Sequence, residues 1–239
     1  MCTVSFVKAS EGVEITSNRD ETTLRSNAMA PATYIYKKKE LIFPKDPQGG
    51  GSWIGGNKQG RMACLLNGAF DYHHHRPPYR HSRGLVLLDA LATEDKDDFI
   101  NNYDLNNIEP FTLIIYQNDT LTELRWDERK KHIKKLDPDK THLWASATLY
   151  GPEIVQKRKE WFRKWEKENE ISAPYSVRDF HYHAGEGDPE NDVVMKRGSY
   201  LQTVSVTSMR LDDVKIKLIH DDLVGNNSGD AELFTDISK

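Results

Sequence analysis

Cysteine is nearly absent. The 239 residues hold two, Cys2 and Cys64, which excludes a disulfide framework and a thiolate-rich metal cluster. There is no run of about 18 apolar residues, so no membrane-spanning helix is expected. The N-terminal stretch lacks a basic segment followed by an apolar one. No secretory signal is therefore expected, and the cytoplasm is the expected location. Neither sign of charge dominates: 33 Lys and Arg stand against 37 Asp and Glu, for a net charge of −4. That balance carries no general signal for nucleic acid and no acidic tail. The glycine-rich stretch Gln48-Gly49-Gly50-Gly51-Ser52 lacks the lysine and following helix of a phosphate loop. It reads as a flexible loop that lets a backbone come close to a ligand, or as a plain turn. No internal repeat or linker interrupts the chain, so residues 1–239 are expected to form a single domain with a sizeable core.

What is present begins at the first residues. Thr3 to Val7 and Val13 to Thr16 are β-rich runs around the turn Ser10-Glu11-Gly12, the pattern of a hairpin. Such a hairpin brings the chain start beside Asn18-Arg19-Asp20, so a thiol, a guanidinium and a carboxylate are expected near one sheet end. Cys2 follows directly on Met1, and removal of Met1 leaves a thiol and a free α-amine on one residue. The amine titrates near ~7.7–8.0 and the thiol near ~8.5, so the amine can act as base toward the thiol. Arg19 would favour the thiolate or hold an anionic substrate group, and Asp20 would orient the amine. The alternative is plainer: Cys2 is a small buried strand residue, and Arg19 and Asp20 form an ordinary ion pair.

Further along, residues 22–50 read as a long connection with short strands near Thr33–Tyr36 and Leu41–Phe43. Trp53-Ile54-Gly55-Gly56 and Arg61 to Asn67 read as paired strands around the turn Asn57-Lys58-Gln59-Gly60. Asn67 at the strand end is placed to donate to a developing oxyanion, or merely starts the turn with Gly68. Cys64, mid-strand, reads as core. His73, His74, His75 and His81 lie on a Pro-containing loop. Three consecutive histidines cannot all aim at one ion, so a solvated loop bordering a pocket mouth is expected, with no metal. Ser82 and Thr93-Glu94-Asp95 mark helix starts, and a β-meander is expected over Phe111–Leu136. His142–Thr148 reads as a strand. Pro152 opens an amphipathic helix to about Asn169, expected to pack on a sheet through Arg158, Trp161, Phe162 and Trp165. Tyr175–Ala184 reads as a short helix, and Leu201–Met209 with Val214–His220 as a hairpin whose Thr203, Ser205 and Thr207 line a pocket. Past Gly225 little structure is expected.

Met1-Cys2-Thr3 with Asn18-Arg19-Asp20-Glu21, then Gly50-Gly51-Ser52-Trp53-Ile54-Gly55 and Gly60 to Asn67, in this order, resemble the NRDE family, also called the transport and Golgi organisation family. That family is similar to the N-terminal nucleophile (Ntn) hydrolases, particularly the bile-salt hydrolase and penicillin acylase branch. The resemblance implies an α+β fold: a four-layer αββα sandwich of two mainly antiparallel sheets. It implies Cys2, Arg19, Asp20 and Asn67 as catalytic positions, and Asn18, Trp53 and Ser146 as positions against substrate. The hydrolases carry a further Asn where this chain reads Leu143-Trp144-Ala145-Ser146, and a late Arg where it reads Tyr200-Leu201-Gln202-Thr203. They also separate by two residues the Arg and Asp that are adjacent here. The activity implied is hydrolysis or acyl transfer on a small-molecule amide through a thioester at Cys2, without a cofactor. The competing expectation is a non-catalytic binding or trafficking protein, a haem or lipid carrier, since eukaryotic relatives are linked to Golgi organisation and haem handling.

Overall fold

The computed structural model describes residues 3–9, 11–171 and 173–237. The expected nucleophile, Cys2, lies outside the described residues. Fourteen strands and four helices are described: β1 Thr3–Ala9, β2 Gly12–Thr22, β3 Met29–Tyr36, β4 Lys39–Lys45, β5 Ile54–Asn57, β6 Met62–Asn67, α1 Arg83–Ala92, α2 Lys96–Asn102, β7 Phe111–Gln117, β8 Thr120–Trp126, β9 Lys131–Leu136, β10 His142–Ala145, α3 Pro152–Glu168, α4 Arg178–His183, β11 Lys196–Arg197, β12 Leu201–Leu211, β13 Lys215–Asp222 and β14 Gly229–Phe234.

The strands form two seven-stranded antiparallel sheets. One runs β10-β1-β2-β12-β13-β14 with β11 beside β12, and the other runs β3 to β9 in chain order. The N-terminal hairpin forms as expected and sits inside the first sheet, with Thr3 paired to Asn18 on one side and to Ala145 on the other. Strand alternation then sorts side chains into layers. Val4, Phe6, Val13 and Ile15 join Ile54, Cys64, Leu66 and Ile114 in a core between the sheets. Leu41, Leu65, Leu113 and Phe111 pack under α1 and α2. Val7 meets Phe162, Trp165 and Phe180 under α3 and α4. The order is helices, sheet, sheet, helices: the expected α+β sandwich.

Helix α1 is held at its C-terminal end by a buried cation. The Arg61 guanidinium donates to the carbonyls of Ala90 and Thr93 (both 2.6 Å) and of Glu94 (2.9 Å), satisfying acceptors that a helix end leaves open and matching the negative end of its dipole.

Four expectations need correction. Within residues 22–50 the short strands expected are a full hairpin, Met29–Tyr36 with Lys39–Lys45; its turn uses Lys37 and Lys38 at φ 49° and 67°, a conformation for which lysine gives no sequence signal. The strand expected over His142–Thr148 stops at Ala145, and the helix expected over Tyr175–Ala184 is confined to Arg178–His183. Past Gly225, β14 pairs with β13 from Gly229 to Phe234. Ala231 and Leu233 pack on the core between the sheets, and cross-strand ion pairs, Lys215–Glu232 at 2.9 Å and Lys217–Asp230 at 3.4 Å, hold its outer side.

Candidate functional site

Alternation along β2 divides the motif Asn18-Arg19-Asp20 between two layers. Arg19 points between the sheets. Its Nη2 donates to Asp46 Oδ2 (3.2 Å) and Glu21 Oε2 (3.3 Å), and its guanidinium lies 4.9 Å from the centre of the Trp53 ring. Burial lowers the Arg19 pKa, and Glu21 and Asp46 oppose that shift. Asp46 is the hub here. It also accepts from Arg25 Nη2 (2.7 Å) and from the backbone N–H of Gln48 and Gly49 (both 3.0 Å). Burial works against its carboxylate, but the Gly49 N–H and the two guanidiniums outweigh it and hold the pKa below the usual range.

Asn18 and Asp20 point the other way, toward α3 and α4. Asn18 Nδ2 donates to the His181 carbonyl at 2.9 Å, and Asn18 Oδ1 bonds His181 Nδ1. The other ring nitrogen, Nε2, is 2.7 Å from Ser5 Oγ. Burial pushes the His181 pKa down to about 3, so the ring is neutral. It donates from Nδ1 to the amide oxygen and accepts from the hydroxyl. Asp20 accepts from Tyr150 Oη (2.8 Å) and Thr203 Oγ1 (2.5 Å). The Tyr150 ring lies 3.8 Å from the buried Arg158 guanidinium, which also donates to Thr3 Oγ1. The plainer expectation, an ordinary ion pair between Arg19 and Asp20, is therefore corrected: neighbours on a strand face opposite ways. Nor do Thr203, Ser205 and Thr207 line one pocket. A bulge between Thr203 and Ser205 turns Thr203 to Asp20, while Thr207 bonds His220 between the sheets.

Arg19, Trp53 and Asn67 come together on a cavity of about 460 Å3, with Glu21, Asp46 and Arg83 around them. Asn67 ends β6, and its carbonyl accepts from Ser146 Oγ at 2.8 Å. Its side-chain amide makes no hydrogen bond among the described residues. It stands at the wall of the cavity as a donor that no described residue engages. Trp53 Nε1 is likewise buried without a partner among the described residues. Ser146 is buried, and bonds Thr148 Oγ1 at 2.9 Å as well. It ties the end of β10 to the end of β6, and neither it nor Asn18 lines this cavity.

The glycine-rich loop forms one wall. The close approach it permits is to a helix: a Cβ on Gly51 would lie 2.3 Å from the backbone carbon of Gly84 in the first turn of α1. The histidine loop borders the same mouth, with His75 and His81 on the cavity wall. Glu109 holds it in place. One carboxylate oxygen meets His73 Nε2 and His75 Nδ1 (both 3.1 Å), and the other meets Arg83 (3.1 Å). No metal-binding cluster occurs among the described residues.

A second cavity, of about 690 Å3, is lined by Phe70, Tyr72, Trp144, Tyr150, Lys134 and Lys159 among others. The loop from Ala145 to Tyr150 that carries Ser146 forms part of its wall, so the Asn67–Ser146 link stands between the two spaces. Asp46, Glu109, His181 and Tyr150 were not singled out from sequence. Each acts through a partner distant along the chain, and no local pattern marks it.

A family model described as Transport and Golgi organisation 2 matches residues 1–190. No curated protein matches. Among solved structures, the chain is similar to an N-acylethanolamine-hydrolyzing acid amidase ortholog from Caenorhabditis elegans, at TM-score 0.55 and 12% identity over 87% of this chain and 92% of that one. It is similar to a cysteine-to-alanine mutant of conjugated bile acid hydrolase from Clostridium perfringens, at TM-score 0.56 and 12% identity over 100% and 97%. An arginine-to-leucine variant of that hydrolase matches at TM-score 0.56 and 13% identity over 100% and 98%. These likenesses show the fold, which is that of the Ntn hydrolases.

Proposed function

The chain belongs to the Transport and Golgi organisation 2 family, whose model matches residues 1–190, and from that premise we propose that it is an Ntn-type cysteine amidohydrolase or acyltransferase acting on a small non-peptide amide. The observation that carries the proposal is the meeting of Arg19, Trp53 and Asn67 on one cavity at the sheet end where Thr3 pairs with Asn18. Cys2 is joined directly to Thr3.

In this reading Met1 is removed, and the neutral α-amine of Cys2 takes the thiol proton as sulfur bonds to the amide carbonyl carbon. The carbonyl oxygen becomes an oxyanion and accepts from the free side-chain amide of Asn67. As the C–N bond breaks, the ammonium returns the proton to the leaving amine, and a thioester remains. Water hydrolyses it, or a second amine takes the acyl group. Arg19, held in place by Asp46 and Glu21, supplies positive charge beside the sulfur. Asp20, fixed by Tyr150 and Thr203, supports the terminal residue from the opposite layer. The two bile acid hydrolase structures are a cysteine-to-alanine mutant and an arginine-to-leucine variant, the residue types used here. The larger cavity, with Trp144 and Tyr150 on its wall, favours one second reading, a non-catalytic carrier of lipid or haem.

The test is intact mass of untagged protein before and after a brief pulse of thiol alkylator near neutral pH, followed by an amide-library screen. Burial pushes the Cys64 thiol up to about 12, so Cys64 stays unlabelled. Loss of Met1, fast labelling at Cys2 and turnover abolished in a folded Cys2→Ala variant are expected. Undiminished turnover in that variant sinks the mechanism. An inert Cys2 with Met1 retained, together with a saturable Soret shift on haem titration, replaces it with the carrier.

A further inference from the structure

The unpaired cations of this acidic chain are not scattered evenly. The segment Arg129-Lys130-Lys131-His132-Ile133-Lys134-Lys135 runs from the β8–β9 turn along β9, the last strand of its sheet. Ion pairs nearby engage Arg125 with Glu123, His132 with Asp127 and Lys140 with Asp137. Among the described residues none engages Arg129, Lys130, Lys131, Lys134 or Lys135, although Lys131 Nζ donates to the Asn101 carbonyl at 2.8 Å. Lys134 lines the larger cavity, and Lys159 of α3, also without an ion pair, lines it too.

Lysines on an edge strand ordinarily guard against pairing with another sheet. That role does not account for the apolar groups beside them. Phe70 is 50% exposed and Tyr72 66%. Phe70 and Tyr72 line the larger cavity with Lys134, and the Phe70 ring packs edge-on against His132 at 4.8 Å. Strand alternation puts His132 and Lys134 on the side of the two rings and of the cavity mouth walled by Trp144, Leu143 and Leu136, with Arg129 and Lys130 in the turn beside them, while Lys131, Ile133 and Lys135 face the side of α2.

We propose that this face docks on a bilayer surface rich in anionic headgroups, with Arg129, Lys130, Lys134 and Lys159 over the phosphates and carboxylates, Phe70 and Tyr72 in the interfacial layer, and the larger cavity opening toward the lipid. Charge complementarity selects the partner, because juxtamembrane lysines and arginines are drawn to anionic leaflets and the attraction decays within a Debye length. The rings distinguish a bilayer from a soluble polyanion, which offers them no apolar layer. The proposal does not depend on Cys2 chemistry.

The full chain is sedimented with phosphatidylcholine vesicles, with and without phosphatidylserine, over a salt series, with heparin as the soluble polyanion. Binding only to phosphatidylserine vesicles, weakening with salt, is expected. Lys130→Glu with Lys134→Glu lowers it by at least about tenfold, whereas Lys38→Glu with Lys196→Glu, unpaired cations elsewhere, leaves it unchanged. Phe70→Ser with Tyr72→Ser still binds at low salt but releases at lower salt than wild type. If the Glu pair fails to fold, Lys130→Gln with Lys134→Gln is read in its place. No vesicle binding, equal binding to pure phosphatidylcholine, an unaffected β9 variant, or capture by heparin without vesicle binding would overturn the proposal.

Discussion

At the residue scale, Arg19 is decided by Asp46, a residue 27 positions away. The side chain of Arg19 is 5% exposed and that of Asp46 11%, so the pair sits in a medium where an unmatched charge is costly. Asp46→Asn keeps an oxygen for the Gln48 and Gly49 N–H groups but removes the charge facing two guanidiniums. Glu21 then remains for Arg19, at 3.3 Å. The expected cost is about 3 kcal/mol, the low end for a broken buried pair because Glu21 stays. Arg25→Ala, on the more exposed arm, is expected to cost under about 1 kcal/mol. Urea midpoints of the two variants check this, and equal midpoints would contradict the hub role of Asp46. The sequence showed Arg19 and Asp20 as neighbours. Strand periodicity, applied strictly, already separates them by layer, so that much was legible. Asp46 was not, because it is one aspartate in a Pro-containing stretch, given meaning only by the hairpin that brings it back.

At the element scale, the elements were legible where apolar periodicity or turn chemistry marks them. The N-terminal hairpin, the β5–β6 pair, the β7–β9 meander and α3 all carry such marks. They were not legible where backbone geometry or charge does the work, as in the lysine turn of β3–β4 and the ion-paired β14. The glycine loop falls between these cases: its flexibility is plain in Gly49-Gly50-Gly51, but its neighbour is not. Gly51 and Gly84 bring the loop and the first turn of α1 into backbone contact, and the clashing atoms on Gly51→Ala are main-chain atoms at 2.3, 2.6 and 2.7 Å. No rotamer relieves them, so loop and helix must part. Overpacking of this kind costs about 1–3 kcal/mol. Gly50→Ala meets no atom within 4 Å, but at φ 70° it bears backbone strain of about 1 kcal/mol. Thermal unfolding of both variants, with Gly51→Ala the less stable, is the expected result. The reverse order would place the constraint in the turn and not in the helix contact.

At the scale of the whole molecule, the first sheet is the middle of everything: it touches the second sheet on one face and α3 and α4 on the other. Each face carries a buried histidine. His181 lies under α4, and His220 lies between the sheets with Thr207 Oγ1 on its Nδ1 at 2.7 Å. Burial lowers the His181 pKa from 6.5 to about 3 and that of His220 from 6.5 to about 4. Both folded-state values lie below the unfolded value. Their contribution is therefore complete above about pH 6.5, where both states are neutral, and is lost as pH falls because the unfolded chain binds protons first. The slope is about 1.4 kcal/mol per pH unit for each ring, so about 2 kcal/mol each is expected to be gone by about pH 5. The ordinary carboxylate values, 3.8 for Asp and 4.5 for Glu, lie below that point, so between about pH 7 and 5 the two histidines drive the loss, and Glu14, whose pKa burial raises, works against it. Denaturant unfolding across it is expected to show the loss. His220→Gln, which keeps a hydrogen-bonding group toward Thr207, is expected to halve the slope. A wild-type profile flat across that window would mean that neither histidine is held neutral. The interior of the first sheet would then tolerate charge on both of its faces, and its packing could not be what fixes the layer order of the sandwich.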